Sequence, residues 1–251
     1  MDKGYPSCDV CRGAAFSRYR RMSPAGRELI RCGACGVVAA MSPREGRPVG
    51  EAPPIPAAPR DPRIDGRRAA EVMRLIEGGR VLEMGCGSGH FLSALDPVRF
   101  KTTGLPGAPG SAALPPGAEE SFDVVALFGG LGSVASPRAT MMEGCRLLKP
   151  GGLAVVETPC ITSLTARFCG SRWQPLSDPA SLWFFSGPTL ERLATTCGLT
   201  PCSSRGPFLS GWPPPGNLFF VARKTSETVR LGSLAEVTAS AVRARPIGAT
   251  H

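Results

Sequence analysis

Four cysteines near the start of the chain form two short motifs that could hold a metal. Cys8 and Cys11 make one CxxC turn, and Cys32 and Cys35 make a second. Each turn places two sulfurs on one side of a tight loop, so two turns supply a closed tetrahedral four-sulfur site, which suits zinc held for structure. A closed site has no open position and therefore predicts no catalytic role. Two disulfides or stray thiols are the alternatives, which the absence of a secretory signal disfavours.

A glycine-rich turn is the second group of residues that could do chemistry. Residues 81–90 read VLEMGCGSGH, so Gly85, Gly87 and Gly89 follow an apolar strand and open a helix. Glycine lets the backbone approach a ligand closely, and a helix N-terminus favours negative charge. The GxGxG pattern fits many nucleotide-binding folds, but its third glycine comes one residue too early for the NAD fingerprint.

The elements around this turn alternate between strands and helices. Strands are predicted at residues 80–85, 100–105, 122–128, 153–158 and 217–223, and helices at 66–79, from about 90, at 136–149 and at 187–198. Such alternation is typical of an open α/β sheet with helices on both faces.

The two motifs fall in different predicted domains. We predict a zinc-binding module at residues 1–41, a proline-rich linker at 42–63, an α/β domain at 64–224 and a flexible tail at 225–251 with one short helix near Ser233. Residues 42–62 contain seven prolines, which disfavours helix and sheet and indicates a stiff linker.

Composition limits the compartment and the partners. The sequence contains no apolar run long enough to span a bilayer and no signal peptide, so we expect a cytoplasmic protein without a membrane partner. The formal charge of +9 favours an anionic partner such as a nucleotide-bearing substrate or nucleic acid. A solubility charge is the simpler interpretation, because the chain has no dense block of Lys and Arg.

These motifs together resemble class I methyltransferases, which use S-adenosylmethionine. VLEMGCGSG is similar to the family's first motif, and FDVVALF followed by SPRATMMEGCRLLKPGGLAVVETP is similar to its later ones. SDPASLWFFSGPTLERLATTCGL resembles a branch whose members often carry an N-terminal CxxC…CxxC module. The resemblance covers about residues 5–41 and 64–222. It implies a Rossmann-like methyltransferase sheet with a further strand near residue 200 and an antiparallel last strand.

The resemblance also implies roles for residues around the glycine turn. The backbone of Gly85, Cys86, Gly87 and Gly89 would pass under the methionine end of S-adenosylmethionine. Glu83 would reach the amino group of the cofactor through water. A helix-dipole partner or a solvated strand end is the alternative for Glu83.

The chain departs from the family pattern after its second strand. The family has an acidic residue there that binds both ribose hydroxyls, whereas this chain has Pro106, and Ser111 falls near the usual acidic residue on the adenine side. Only fifteen residues separate Pro106 from Phe122, and six of them are proline or glycine. We therefore predict that the third strand is missing and that the strand at 100–105 is the sheet edge.

No general base is evident, so the catalytic residues stay unassigned. The family branch usually has Glu-His where this chain has Gly132 and Ser133, and often has a histidine where this chain has Ser181. His90 could face the site, although such a residue more often starts the helix. Methyl transfer can proceed without a base if the acceptor is already nucleophilic and held in line.

Aromatic residues and further cysteines complete the candidates. The aromatic residues would cover an apolar, planar acceptor or serve as core packing; they are Trp173, Trp183, Phe184, Phe185 and Trp212. The cysteines without metal spacing are predicted to be buried apolar fillers; they are Cys86, Cys145, Cys160, Cys169, Cys197 and Cys202.

Three functions remain open. The first is a methyltransferase acting on a small-molecule acceptor. The second is a weak or inactive methyltransferase-like scaffold, which the clustered pocket departures favour. The third and least favoured is an RNA methyltransferase, because no stacking aromatics interleave with a basic strip. The acceptor and the oligomeric state do not follow from the sequence.

Overall fold

The computed structural model describes residues 7–19, 23, 26–41, 61–87, 89–107, 118–205 and 216–225. The strands in these residues are β1 Phe16–Arg18, β2 Glu28–Cys32, β3 Val38–Met41, β4 Gly79–Met84, β5 Phe100–Leu105, β6 Phe122–Phe128, β7 Leu148–Pro159, β8 Trp183–Phe184, β9 Leu199–Arg205 and β10 Asn217–Lys224. The α-helices are α1 Pro62–Leu75, α2 His90–Ser93, α3 Pro137–Leu147, α4 Leu164–Cys169, α5 Gln174–Ser177 and α6 Gly187–Thr196.

A six-stranded sheet in the order β5-β4-β6-β7-β10-β9 forms the centre of the fold. The first four strands of this order are parallel, and β10 is antiparallel to both β7 and β9. The inner strands read as continuous apolar runs because helices cover both faces. The sheet confirms the predicted Rossmann-like α/β fold and all six predicted strand positions.

The strand β5 lies at the edge of this sheet, as predicted. It pairs with β4, and within the described ranges no other strand pairs with it. Residues 108–117 lie outside the described residues. The predicted loss of the third strand therefore holds for the described part of the chain, where β5 pairs with β4 alone.

Helix α1 packs on one face of the sheet and begins earlier than predicted. Asp61 caps it by accepting a hydrogen bond from the backbone of Arg63, and Pro62, assigned to the linker from sequence, is its first residue. Ala69 and Val72 are buried against the sheet as the apolar periodicity predicts. The first half of the helix also buries two charged residues.

The cysteine-bearing segment forms a second sheet that the sequence did not predict. Its order is β1-β2-β3-β8, so a strand from residues 183–184 completes a sheet that begins in the first 41 residues. Cys8 and Ile30 share one hydrophobic core with Leu190 and Leu193 of α6. The small sheet is thus packed on the face of the large sheet opposite α1.

No helix in the described residues is long and apolar enough to cross a membrane. The predicted short helix near Ser233 lies outside the described residues.

Candidate active site and metal centre

The four predicted metal ligands converge on one point. All four sulfurs lie within 4.8 Å of one another. The Sγ–Sγ distance is 3.7 Å from Cys8 to Cys35 and 3.6 Å from Cys11 to Cys32. A tetrahedral zinc with Zn–S bonds of about 2.3 Å would place its sulfurs about 3.8 Å apart, whereas a disulfide needs about 2.05 Å. The geometry fits a four-coordinate metal and excludes disulfides among these cysteines.

The electrostatics of the cluster favour at least one thiolate. A hydrogen bond from Cys35 lowers the pKa of Cys8 to about 5 and raises the pKa of Cys35. Burial raises the pKa of Cys11, and the backbone N–H of Gly13 donates to its Sγ at 3.4 Å. Thiolates are the form in which cysteine binds metals.

Asp9 connects the first cysteine turn to the large domain. Its carboxylate accepts hydrogen bonds from Ser136 Oγ at 3.0 Å and from the backbone N–H of Arg138 at 2.8 Å. These groups belong to the first turn of α3, whose own cap is Ser136. The sequence analysis missed Asp9; its position between Cys8 and Cys11 was the only available signal.

Arg27 makes a second connection, on the side of β8. Its guanidinium is buried and donates to the carbonyl oxygens of Asp178 at 2.7 Å, Ser181 at 2.9 Å and Pro179 at 3.1 Å. Burial lowers the pKa of Arg27. This side chain therefore fixes the loop before β8 against the small sheet.

The glycine turn leaves the carboxyl end of β4 and is held by the edge strand. The backbone N–H groups of Gly85 and Cys86 both donate to the carbonyl oxygen of Leu105, at 3.0 and 2.9 Å. Gly85 and Gly89 have φ values of +78° and +73°, which glycine adopts at no steric cost. The turn is therefore the sharp bend that the motif predicts.

The side chain of Cys86 packs against β5. A Cβ added at Gly104 would lie 2.5 Å from Cys86 Sγ, so the edge strand must have glycine there. The helix after the turn, α2, has only four residues. A helix this short supplies a smaller N-terminal dipole than a helix of several turns.

Two glycines near the carboxyl ends of β4 and β6 have free space beside them in the described part of the chain. No described atom lies within 4 Å of a Cβ built on Gly89 or on Gly129, the residue that follows β6. Phe91 lies two residues after Gly89 and Phe128 directly precedes Gly129, and their ring centroids are 4.7 Å apart. The described residues therefore leave the backbone at both glycines free of side-chain contacts.

Buried charged residues lie near the carboxyl ends of β4 and β7, on the face of the sheet that α1 covers. Glu83 and Glu157 are each 1% exposed, and both point to the face that carries the core of α1. Arg68 of α1 forms a bidentate pair with Glu157, through Nε at 2.9 Å and Nη2 at 3.0 Å, and its Nη1 donates to Asp65 at 2.7 Å. Asn217 also donates to Glu157, at 2.7 Å. We call Asp65, Arg68, Glu157 and Asn217 the α1 cluster.

Arg68 stays charged in this cluster. Burial acts to lower its pKa, but the hydrogen bonds and charges of Glu157 and Asp65 outweigh burial and raise it. The guanidinium also lies over the Phe128 ring, 4.8 Å from its centroid. The sequence analysis missed the whole cluster, because a charged residue on a helix is ordinarily assigned to the solvent face.

A family model described as a methyltransferase domain matches residues 60–204, which is more than half of the chain. The chain belongs to this methyltransferase family. No curated protein sequence matches it.

Solved structures agree with this family. One chain of the Haloferax volcanii complex between the Trm112 methyltransferase activator and a proposed methyltransferase is similar, with 19% identity and a TM-score of 0.50, over 65% of this chain and 90% of that one. A SAM-dependent methyltransferase of Thermotoga maritima is 18% identical, with a TM-score of 0.46, over 64% of this chain and 89% of that one. At these identities the likeness concerns the fold, and the Haloferax structure supports it.

The glycine turn at the carboxyl end of β4 leaves room for a ligand to approach its backbone, because a Cβ built on Gly89 or Gly129 would lie more than 4 Å from any described atom. Pro106 follows directly after β5 and is exposed; it supplies no carboxylate for a ribose. Ser111 lies outside the described residues, and His90 is exposed at the start of α2.

Gly132 and Ser133 stand where the branch that the sequence resembles usually has Glu-His, and the structure shows what surrounds Gly132. Gly132 is buried, and a Cβ added there would lie 2.9 Å from the carbonyl oxygen of Trp183. Leu182 donates its backbone N–H to Gly132 at 2.8 Å, and Trp183 Nε1 donates to Val134 at 3.0 Å. The segment that leads into β8 thus occupies the space of the missing side chain.

The predicted aromatic residues serve as core in the described part of the domain. Four of these side chains are buried: Trp173, Trp183, Phe184 and Phe185. The ring centroids of Trp173 and Phe184 lie 6.2 Å apart. Trp212 lies outside the described residues.

Burial raises the pKa of Cys197 to about 11.

The prediction that all six remaining cysteines are buried is confirmed for Cys160 and Cys197 only, since Cys86 and Cys145 are half-buried and Cys169 and Cys202 are exposed. Cys169 ends a short surface helix, and Cys202 lies on the edge strand β9, so neither has a layer covering it.

A cavity of about 260 Å³ lies at the opposite, amino end of β4 and β6. Lys149 and Asp123 form an ion pair in its wall at 2.8 Å. Burial acts to raise the pKa of Asp123, but hydrogen bonds from Lys149 and from the backbone of Arg80 lower it overall. The cavity is remote from the glycine turn and belongs to no step of methyl transfer.

Proposed function

We propose that this chain binds S-adenosylmethionine at the carboxyl ends of β4 and β6 and transfers its methyl group to a small-molecule acceptor. The observation that carries the proposal is the glycine turn, which bends sharply after β4 and opens onto the free space over Gly89 and Gly129. When bound, the cofactor supplies an electrophilic methyl group on a sulfonium. The protein must position an acceptor in line with it and exclude water.

The chain's own residues divide this work. Gly85 and Cys86 hold the turn to β5, so their part is to fix its shape. Gly87 and Gly89 keep side chains out of the path of the methionine end. Glu83, buried on the α1 face, is the proposed acceptor of hydrogen bonds from the amino group.

The methyl acceptor must already be nucleophilic when it binds. In the described residues the Glu-His positions are Gly132 and Ser133, and Ser181 donates to Asp178. None of these side chains is a base of useful pKa. Catalysis by this chain therefore rests on proximity and orientation, which favours acceptors that need no proton removed before attack.

We also infer that the four cysteines hold one zinc ion with a structural role. The sulfur spacing matches tetrahedral zinc, and all four protein ligands leave no position for substrate. The metal would fix the small sheet that packs against α3 and α6.

A scaffold without activity is the second candidate. It is favoured by Gly132, whose side-chain space is filled by Trp183, and by Pro106 at the ribose position. Such a protein would keep the fold and the metal and would bind cofactor weakly or not at all.

Calorimetric titration of the purified protein with S-adenosylmethionine separates these candidates. We expect a dissociation constant in the micromolar-to-millimolar range, about −8 to −4 kcal/mol, because the ribose meets no carboxylate. Gly87→Val should abolish binding by placing a side chain in the cofactor path, and Thr200→Val, at an exposed position on the far edge strand β9, is the control. Absence of binding by the natural protein would favour the scaffold. Nanomolar binding would mean that another residue replaces the missing carboxylate.

A further inference from the structure

The α1 cluster is a group of buried charges that the proposed methyl transfer does not use. Asp65 and Glu157 are each 1% exposed, and Arg68 is 7% exposed. Two carboxylates and one guanidinium leave a formal charge of −1 in the cluster. Burying uncompensated charge is expensive unless the charge is paired and hydrogen-bonded.

Among the described residues, one oxygen atom of the cluster lacks a hydrogen-bond donor. Both oxygens of Glu157 accept hydrogen bonds from Arg68, and Asn217 donates to one of them. Asp65 Oδ1 accepts from Arg68, but Asp65 Oδ2 is buried and has no hydrogen-bond partner among the described residues. A buried carboxylate oxygen without a donor is destabilising, because it has lost its hydrogen bonds to water and gained none in the protein. A positively charged donor would give this oxygen a hydrogen-bond partner and would also neutralise the net charge of the cluster.

The cluster lies beside the glycine turn. The Arg68 guanidinium stacks on Phe128, and Phe128 contacts Phe91, the second residue of α2 after Gly89. Glu83 faces the same side of the sheet, because it pairs in register with Ala126, two residues before Phe128. The α1 cluster and Glu83, the proposed acceptor for the amino group, thus lie on the same face of the sheet, near the carboxyl ends of its parallel strands.

We propose that Asp65, through Oδ2, binds the ammonium group at the methionine end of the cofactor, together with Glu83. This inference rests on the proposed function. The ammonium is the cationic donor at the end of the cofactor that the turn receives. Arg68 is the positioning residue, because its pair with Glu157 fixes the guanidinium that in turn holds Asp65 Oδ1. Helix α1 is then part of the cofactor site rather than only a cover for the sheet.

A comparison of two ligands tests this role without an acceptor or an activity assay. S-adenosylhomocysteine carries the amino acid end, and 5′-methylthioadenosine lacks it, while both have a neutral sulfur. Calorimetry on the full chain should show that Asp65→Asn weakens binding of S-adenosylhomocysteine about tenfold or more, as expected for a hydrogen bond to a charged group. Binding of methylthioadenosine should change less than about twofold, within the energy scale of a surface substitution.

Two further variants complete the test. Asp61→Asn makes the same chemical change at the exposed cap of α1 and should leave both affinities as in the natural protein, because Asn caps helices as well as Asp. Asp65→Glu keeps the carboxylate and should retain the preference for S-adenosylhomocysteine, even if Asp65→Asn proves too unstable to titrate. Loss of that preference in Asp65→Glu with an unchanged melting temperature would count against the inference.

Equal weakening of both ligands by Asp65→Asn would overturn the inference, because Asp65 would then act only through the fold. An unchanged affinity for S-adenosylhomocysteine would overturn it as well. Failure of the natural protein to bind either ligand is a different result, since it overturns the proposed function and this inference together.

Discussion

The cysteine cluster and the glycine turn are both built from short turns and are both proposed to bind a ligand, yet the rest of the chain holds them differently. The cysteine turns are packed into a shared core, capped onto α3 by Asp9 and joined to β8 through the small sheet. The glycine turn is anchored to the edge strand β5 and opens onto free space on its other side. A closed structural site can be built entirely from packing, whereas a cofactor site must leave part of its own surface unpacked.

The largest expected effect comes from removing one metal ligand. Cys32→Ser should lower the zinc content from about one ion per chain to near zero, measured by elemental analysis without chelator. Binding free energies of about 10–16 kcal/mol for zinc in small modules are comparable to a whole domain's stability of about 5–15 kcal/mol. We therefore expect loss of cooperative thermal unfolding in the small sheet. Cys202→Ser, at an exposed position, should change neither property.

A smaller effect is expected from filling the glycine on the edge strand. Gly104→Val places a side chain onto Cys86 and should destabilise the domain by about 1–3 kcal/mol, measured by urea denaturation. Thr102→Val, on the same strand and face, is the matched control. Adding Cys86→Ala to Gly104→Val should restore part of the loss. Equal effects of the two valine variants would show that the Cys86 contact does not hold the turn.

A gain of binding should follow from restoring the carboxylate at the ribose. Pro106→Asp should strengthen S-adenosylmethionine binding by about 10- to 100-fold, since hydrogen bonds to a charged group contribute about 1.5–3 kcal/mol each. Pro106→Asn removes the proline without adding charge, so it should gain much less. Calorimetry measures both. If the two variants bind alike, the end of β5 does not point at the ribose.

The smallest effect is expected at the contact between the first cysteine turn and α3. Asp9→Ala removes the acceptor for Ser136 and the Arg138 N–H, and should destabilise the protein by about 0.5–2 kcal/mol, as for other helix caps. The zinc content should stay at one per chain, because Asp9 is not a ligand. Loss of zinc in this variant would show that the cap and the metal site cannot be separated.

Features that depend on residues close together in the sequence could be predicted from sequence patterns. Apolar runs and their breaks predicted five strands of the large sheet, and the family resemblance added the strand near residue 200. The spacing of Cys8, Cys11, Cys32 and Cys35 predicted a cluster that the structure brings together. The proline- and glycine-rich stretch after Pro106 predicted that β5 lies at the edge. Each of these features depends on residues that are neighbours in sequence or on a repeated geometry within one element.

Tertiary structure alone decided which distant groups meet. The pair of Arg68 and Glu157 joins residues 89 positions apart, and the packing of α1, rather than any pattern in its sequence, turns that charge inward. The pairing of β3 with a two-residue strand at Trp183–Phe184 is equally invisible, because so short a strand has no periodicity of its own. The position of Trp183 against Gly132 follows from that pairing. The sequence therefore specified the strands of the large sheet and the four-cysteine cluster, while the packing of α1 and the small sheet on opposite faces determined which residues surround the proposed cofactor site.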